Sequence, residues 1–408
     1  MVDLLDCTVM PYAWGSRSAI AELTGRSSPS PGPEAELWMG AHPMAPARIR
    51  RAGVERGLAD VITEDPPAAL GPEVVRAFGP RLPFLLKVLA AAEPLSLQAH
   101  PTEAQARAGF ADEDARGVPR DAPSRNYRDP QHKPELLCAL TPVDALCGFR
   151  RAQDTLRLFD ELSVPGTERA LAPLRASPDR TGLAETFRVL MTLPRVEGAA
   201  LVAATVRACR ESPQTAANAF AREHRWAVRL DALYPGDVGV VSALLLNLVH
   251  LEPGEAIYLG AGNLHAYLDG VGIEIMASSD NVLRGGLTKK HVDVPALMRV
   301  LDFADGPVRP LRAEALADQE RVYVTPAREF RLSVMNVTSG NILSRPVRGP
   351  EILLCTEGDA RLTPGDGSPE LPLGRGASAF VPAATGRYDL RPGDAGHASL
   401  YRATVNLT

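Results

Sequence analysis

Hydrophobic and polar residues alternate in several short segments of the chain, most clearly in LSLQAHP at residues 95–101. There the apolar residues take the odd positions, and Ser96, Gln98 and His100 take the even ones. Because successive side chains of a strand point to opposite faces, this alternation predicts a strand with one polar face. A glutamine and a histidine two positions apart can both reach one cation, although an ordinary solvent-exposed face would show the same alternation.

The spacing of apolar residues changes twice along the chain. Residues 1–150 contain short apolar segments punctuated by glycine and proline, which predict β structure with loops. Residues 151–235 include segments such as DTLRLFDEL and AETFRVLMTL, whose apolar residues lie three and four positions apart, as in amphipathic helices. From residue 236, short apolar segments alternate again with turn residues. We therefore predict a mainly β protein with an α-helical insertion.

A faint internal repeat connects two β segments. GEAIYLGAGNLH (residues 254–265) aligns without gaps on GASAFVPAATGR (residues 376–387), so that His265 falls on Arg387. The segment before the second copy, EILLCTEGDARL, has the strand-turn-strand rhythm of a jelly-roll hairpin. Two related jelly-roll barrels explain the repeat most simply; the alternative is chance similarity between two hairpins rich in glycine and alanine.

These patterns divide the chain into three predicted domains. The first is a barrel formed by residues 1–150 together with 236–316. The second is an inserted helical domain, residues 151–235. The third is a C-terminal barrel, residues 317–408, which has arginine where the first barrel has histidine.

Composition excludes several classes of partner. The chain has 408 residues, 45% of them hydrophobic, and a net charge of -5 without charged blocks, so we expect no nucleic-acid partner. Five cysteines without a C-x-x-C pair argue against a disulfide framework or a thiolate metal site. The N-terminus lacks the basic and apolar segments of a secretory signal, and no long apolar stretch occurs. We expect a cytoplasmic protein without a membrane partner, and any metal must use nitrogen and oxygen ligands.

Charged residues are concentrated in two further segments. In YRDPQHKPELL (residues 127–137), Lys133 and Glu135 lie two apart and hence on one face, with His132 on the other. A solvated ion pair is the simplest interpretation of that spacing. Residues 263–290 combine many charged groups with Ile, Met and Leu, and charges held near apolar strands usually line a site.

Three segments, LSLQAHP, YRDPQHKPE and HAYLDGVGIEIMASSDNVLRGGLTKK, closely resemble the signatures of type I phosphomannose isomerases. WGS (residues 14–16) and ELWMGAHP (residues 36–43) extend the resemblance over nearly the whole chain. Two departures occur: Gln131 replaces the family's usual asparagine, and the family's R-A-G-L-T-P-K ending has Gly285 and Lys289 here. We expect the second departure to loosen the loop, because glycine adds backbone freedom and the missing proline removes a constraint.

The resemblance implies a fold, a reaction and a cofactor. The fold is two cupin-like (jelly-roll) β-barrels plus a helical domain. The first barrel is catalytic, and the C-terminal barrel, with Arg387 in place of a metal-binding histidine, has no metal site. The reaction is the interconversion of mannose 6-phosphate and fructose 6-phosphate through an enediol intermediate, which links fructose 6-phosphate to mannose and GDP-mannose metabolism. The cofactor is one Zn²⁺ per chain, and the ligands implied are Gln98, His100, Glu135 and His265.

The same resemblance implies the other site residues. Arg284 would act electrostatically on the enediolate, because a guanidinium stays protonated and is a poor base. A proton could be carried by Glu274, by Lys133 or by a zinc-bound water, and the sequence does not choose among them. The phosphate-binding residues implied are Ser96, Lys87 and Lys290, and those of the sugar pocket are Trp14, Tyr267 and Asp280. We interpret His42, in a second Ala-His-Pro triplet, as structural.

Two other functions fit parts of the sequence. Cupins with histidine and carboxylate ligands also hold iron for dioxygenase chemistry. A non-catalytic sugar-phosphate-binding bicupin would retain the same fold. The Lys and Arg cluster after His265 favours a phosphorylated substrate, so we expect a small-molecule hexose 6-phosphate as the partner and a monomeric enzyme.

Overall fold

The computed structural model describes residues 1–51, 53–215 and 217–407. Positions 52, 216 and 408, each inside a predicted domain, lie outside the described residues. The strands are β1 (Asp3–Leu4), β2 (Thr8–Met10), β3 (Glu36–Met39), β4 (Arg48–Arg51), β5 (Val54–Gly57), β6 (Phe84–Ala91), β7 (Leu97–Ala99), β8 (Glu135–Ala139), β9 (Val143–Phe149), β10 (Leu246–Leu251), β11 (Glu255–Leu259), β12 (His265–Ala277), β13 (Leu283–Gly286), β14 (Leu311–Arg312), β15 (Glu314–Ala317), β16 (Glu320–Tyr323), β17 (Arg331–Thr338), β18 (Leu343–Pro346), β19 (Glu351–Pro364), β20 (Leu371–Gly374), β21 (Ser378–Val381), β22 (Arg387–Pro392) and β23 (His397–Thr404). The helices are α1 (Ala19–Leu23), α2 (Leu58–Glu64), α3 (Pro66–Leu70), α4 (Pro72–Phe78), α5 (Glu103–Ala115), α6 (Ala152–Leu162), α7 (Glu168–Ala176), α8 (Arg180–Met191), α9 (Arg195–Glu211), α10 (Ala221–Leu233), α11 (Gly239–Ala243) and α12 (Val294–Val300).

The strands form two large antiparallel sheets, each folded into a barrel. In the first sheet the main order is β14-β11-β8-β12-β6-β3-β2, and in the second it is β1-β21-β19-β23-β17-β16-β15. The long strands β12 and β19 each pair with four others, so each joins the two faces of its own barrel. This arrangement confirms the predicted mainly β fold with an α-helical insertion.

The two copies of the sequence repeat occupy comparable strands. The first copy covers β11 and enters β12 at His265, which is buried. The second copy covers β21 and enters β22 at Arg387, whose guanidinium is exposed beside Asp389 at 3.2 Å. The two aligned positions therefore differ in burial as well as in residue type.

Helices α6 to α11 lie between β9 and β10 and pack against the first barrel. In α6 the buried residues recur every three or four positions, which explains the amphipathic pattern of the sequence. Phe149 at the end of β9 stacks against Phe303 and meets Phe187 of α8 edge-on. Within the described residues no single helix is long and apolar enough to cross a membrane, and only α8 with α9, bent by 112°, meet the criteria as a pair.

Polar contacts join the two barrels inside a shared apolar core. The Cys138 thiol on β8 donates to the Tyr323 hydroxyl at 3.0 Å, and that hydroxyl donates to the carbonyl of Gly254 at 2.9 Å. On the segment before β8, Nε2 of His132 lies 2.7 Å from Oε1 of Glu329. The second barrel therefore contacts the polypeptide segment that leads into Glu135.

Candidate metal centre

Three side chains converge inside the first barrel, and each comes from a different strand or strand end. His100 follows β7, Glu135 begins β8, and His265 begins β12. Nε2 of each histidine lies 3.3 Å from Oε2 of Glu135, and the candidate ligand atoms all lie within 4.8 Å of one another. The three residues are at most 1% exposed.

Backbone carbonyls fix the orientation of both imidazole rings. Nδ1 of His100 lies 2.7 Å from the carbonyl oxygen of Asn281, and Nδ1 of His265 lies 3.0 Å from that of Asn263. Since a carbonyl can only accept, each Nδ1 carries the proton and each Nε2 presents a lone pair. Both Nε2 atoms and Oε2 of Glu135 are buried without a hydrogen-bond partner.

Buried polar atoms without partners are costly, so three of them aimed at one point call for a shared occupant. Two neutral imidazoles and one carboxylate suit a divalent cation such as zinc. Burial lowers the pKa of His100 to about 4 despite the opposing effect of Glu135, so this ring is neutral at physiological pH. Burial raises the pKa of the neighbouring Cys147 thiol to about 12, so this thiol is protonated in the absence of a metal.

Gln98, the fourth predicted ligand, lies on β7 beside this cluster. Its Cα pairs with that of His265 on one side and with that of Arg284 on the other. Directly paired residues of antiparallel strands project from the same face, so Gln98 shares the face of both neighbours. The fourth ligand remains a prediction, supported by this register.

Lys133 neutralises the carboxylate of the cluster. Its ammonium lies 3.0 Å from Oε1 of Glu135, the oxygen that does not face the histidines. Burial raises the pKa of Glu135, but Lys133 and the histidines outweigh burial and hold that pKa well below its usual range. Glu135 is therefore ionised, as a metal ligand must be.

A second buried ion cluster lies in the same barrel. Lys87 on β6 lies 2.9 Å from Glu274 on β12 and 3.6 Å from Glu36 on β3. Trp38 donates its indole N–H to Glu36 at 2.6 Å and lies 5.2 Å below the ammonium. Burial opposes the charge on Lys87, but the two carboxylates raise its pKa. Phosphate binding by Lys87 remains a prediction, and the contacts observed are with carboxylates.

Glu274 differs from the other buried carboxylates of the barrel. Burial raises its pKa, and the charges of Glu135 and Glu36 raise it further against the effect of Lys87. Burial and the charges of Glu274 and Glu135 raise the pKa of Tyr267, whose hydroxyl is buried. Glu274 is therefore the carboxyl group best suited to exchange a proton.

The rim of the barrel carries cations without carboxylate partners among the described residues. Burial lowers the pKa of Arg284, and the nearby Arg128 lowers it further. Burial and both arginines lower the pKa of Lys290. Nε of Arg284 is buried and unpartnered. Ser96, the remaining predicted phosphate ligand, is half-buried next to β7.

The three predicted sugar-pocket residues belong to three different segments of the first barrel. Trp14 is half-buried and stacks on Tyr12, with ring centroids 5.9 Å apart. Asp280 follows β12, and its carboxylate lies 3.4 Å from Nε2 of His42. Tyr267, two residues after His265 on β12, is buried among apolar residues of the barrel. Their substrate contacts remain predictions.

The loop RGGLTKK, which carries Arg284, is packed closely despite its two glycines. A Cβ on Gly285 would lie 2.9 Å from Leu264, and one on Gly286 would lie 2.8 Å from the Cα of Gly239 at the start of α11. Gly286 also has a φ of +120°, a region that favours glycine. Close packing of both glycines opposes the loosening expected from the sequence.

Several residues around the metal centre were not singled out from the sequence. They are Glu36, Trp38, Arg128, Asp129 and Asn281. All lie in or beside the segments that resemble the family, but their partners lie on distant strands. Only the tertiary structure shows which groups these residues contact.

Fold and site together define a metal-binding jelly-roll (cupin) protein. Its residues 2–152 match the family model for the type I phosphomannose isomerase catalytic domain. The chain is 42% identical to mannose-6-phosphate isomerase of Escherichia coli over 92% of this chain and 93% of that protein, and 33% identical to mannose-6-phosphate isomerase 1 of Arabidopsis thaliana over 98% and 93%. A zinc-bound mannose 6-phosphate isomerase structure is 37% identical, with a TM-score of 0.90 and full coverage of both chains. The chain belongs to the type I phosphomannose isomerase family.

Proposed function

We propose that this protein is a zinc-dependent aldose-ketose isomerase that interconverts mannose 6-phosphate and fructose 6-phosphate. The single observation that carries the proposal is the convergence of three buried, unpartnered ligand atoms on one point of the barrel. The relatives named above are mannose-6-phosphate isomerases, and one of the structures is zinc-bound. Nothing in these findings favours the dioxygenase or the non-catalytic alternative.

His100, Glu135 and His265, with Gln98, would hold the zinc ion. When bound, zinc supplies a Lewis acid that polarises a sugar oxygen. Buried apolar residues of the same barrel, among them Leu89, Leu137 and Ile257, would limit the access of water to a bound metal.

The reaction moves a proton between C2 and C1 through an enediol. Glu274 is suited to this transfer because its pKa is raised and it lies inside the barrel. Arg284 lies on the same face as Gln98 and His265, where its permanent charge would stabilise negative charge developing on the enediolate. Lys133 is engaged with Glu135 and is less suited to accept a proton.

The phosphate group would bind at the cationic rim. Lys290 and Arg128 have no carboxylate partner in the part of the chain that the structure describes. Ser96 immediately precedes strand β7 in the sequence. Binding energy from a remote phosphate can orient the reacting carbons. We also propose a cytoplasmic location and a monomeric enzyme; the cysteines are free, as in a reducing compartment.

The test couples metal analysis to an isomerisation assay. We expect about one zinc per chain, loss of mannose 6-phosphate turnover on treatment with a chelator, and recovery when zinc is restored. A Lys290→Ala variant should raise KM for mannose 6-phosphate while zinc content stays constant. Zinc-loaded protein that fails to convert mannose 6-phosphate would refute the proposed function.

A further inference from the structure

His42 occupies a buried position in the turn that follows β3. Its side chain is 4% exposed, and its ring packs edge-on against Trp38 with centroids 5.0 Å apart. Its Nδ1 accepts a hydrogen bond from the backbone N–H of Met44 at 3.3 Å. Because that N–H can only donate, the neutral ring carries its proton on Nε2. The surroundings thus select one tautomer of His42.

The proton on Nε2 faces the carboxylate of Asp280. Nε2 lies 3.4 Å from Oδ1, a long contact of the kind that tightens when substrate binds. The backbone N–H of Asp280 donates to Oδ2 of Asp129 at 2.8 Å, which holds the main chain. The other carboxylate oxygen of Asp280 has no protein partner within the described residues, and the side chain is 41% exposed.

The charge state of Asp280 suits it to accept a hydrogen bond. Burial raises its pKa, but the contact with His42 and the charges of Lys133 and Arg128 outweigh burial and lower it. The carboxylate is therefore ionised, with one oxygen held by His42 and the other open. An ionised carboxylate with a free oxygen at the edge of a sugar site is a strong acceptor for a hydroxyl group.

We propose that His42 is a positioning residue that orients Asp280, so that the free carboxylate oxygen accepts a hydrogen bond from a hydroxyl of the sugar phosphate. His42 acts through Asp280 and not on the reacting carbons. The inference rests on the proposed function, since it assigns a contact to the same substrate. The segment ELWMGAHP would then contribute in two ways: Glu36 contacts Lys87, and His42 orients Asp280.

The test uses two substitutions that separate packing from hydrogen bonding. His42→Phe keeps a ring against Trp38 and removes the donor, whereas His42→Gln keeps an N–H donor. We expect His42→Phe to lower kcat/KM for mannose 6-phosphate by about 10- to 100-fold, the usual range for a hydrogen bond to a charged group. His42→Gln should recover most of that loss, and zinc content should stay at the wild-type level in both variants.

A double-mutant cycle with Asp280→Asn identifies the partner. If His42 acts through Asp280, adding His42→Phe to Asp280→Asn should cause little further loss. His250→Phe is the matched control, because His250 lies 2.6 Å from a different carboxylate, that of Asp144; it should retain wild-type kcat/KM.

Three results would overturn the proposal: losses from His42→Phe and Asp280→Asn that multiply in the double variant, a His42→Gln variant as impaired as His42→Phe, or a His42→Phe variant that is unaffected. An active wild-type enzyme with an unaffected His42→Phe variant would refute this inference alone. An inactive zinc-loaded wild type would instead refute the proposed function.

Discussion

Asn281 offers a test of how the metal centre is built, because its buried side-chain amide connects the metal centre to the loop that precedes Glu135. Its backbone carbonyl orients the His100 ring. Its side-chain oxygen accepts from the backbone N–H groups of Arg128 and Asp129, and its side-chain nitrogen donates to the carbonyls of Asp129 and Gln131. Asn281→Asp changes only one group of atoms and leaves all proposed ligands in place.

The expected loss of stability in the Asn281→Asp variant follows from these hydrogen bonds. The introduced carboxylate cannot donate, so two carbonyls that now lie 2.7 Å from the side-chain nitrogen lose their hydrogen bonds. Each buried acceptor left unsatisfied costs about 1–3 kcal/mol, so the free energy of unfolding should fall by roughly 2–6 kcal/mol. Groups that orient metal ligands typically change metal affinity by about 10- to 100-fold. We expect zinc affinity to fall within that range.

The assay is a zinc titration followed by both isomerisation rate and thermal unfolding. Turnover per bound zinc should remain near wild type, and excess zinc should restore total activity. The matched control is Asn218→Asp in the helical domain, where the side-chain nitrogen donates to the carbonyl of Pro213 at 2.8 Å. That variant should lose stability without losing zinc affinity. Asn281→Asp protein with wild-type zinc affinity would refute the coupling between this amide and the His100 ring.

Other substitutions test single parts of the site. Arg284→Ala should lower kcat by about 100- to 1,000-fold with zinc content unchanged, and loss of zinc with normal turnover per metal would contradict an electrostatic contribution. Glu135→Gln should abolish zinc binding and leave the buried Lys133 unpaired, which should lower the free energy of unfolding by about 3–5 kcal/mol. Adding Lys133→Met should restore the stability but not the zinc binding. Unfolding measurements and metal analysis would check the two effects. The hydrogen bond to Glu329 raises the pKa of His132 in the folded protein. A raised histidine pKa stabilises the folded state fully at a pH below the pKa of the unfolded chain, and this stabilisation is lost as the pH rises through the pKa of the folded state. Glu329→Gln should therefore lower the melting temperature more at about pH 6 than at about pH 9, and equal losses at both would contradict the ion pair.

Local sequence patterns predicted the parts of the fold that depend on spacing. The alternation in LSLQAHP predicted a strand, and β7 (Leu97–Ala99) confirms it. The three- and four-residue spacing after residue 151 predicted the helices that the structure contains. These patterns suffice because burial of one face is decided within a few residues of chain.

Contacts between distant segments could not be predicted in this way. Glu36 reaches Lys87 only because β3 and β6 are neighbours in the first sheet, and no spacing in the sequence sets that order. His42 lacks a polar partner two residues away, so the sequence interpretation left it as structural, whereas its neighbour in space is Asp280. The resemblance to a family supplied the proposed ligands together, which alternation in one strand could not do.

Charge balance inside the first barrel connects the fold to the proposed reaction. Three carboxylates, those of Glu36, Glu135 and Glu274, face two ammonium groups, those of Lys87 and Lys133. When all three carboxyl groups are ionised and no metal is bound, this interior carries one excess negative charge, which would repel an enediolate. A bound divalent cation would change the net charge of this interior from negative to positive. The low-dielectric surroundings would then strengthen its attraction for an anionic intermediate. On this count we expect the two buried lysines to matter to the proposed reaction, because without them even a bound dication would leave the interior negative.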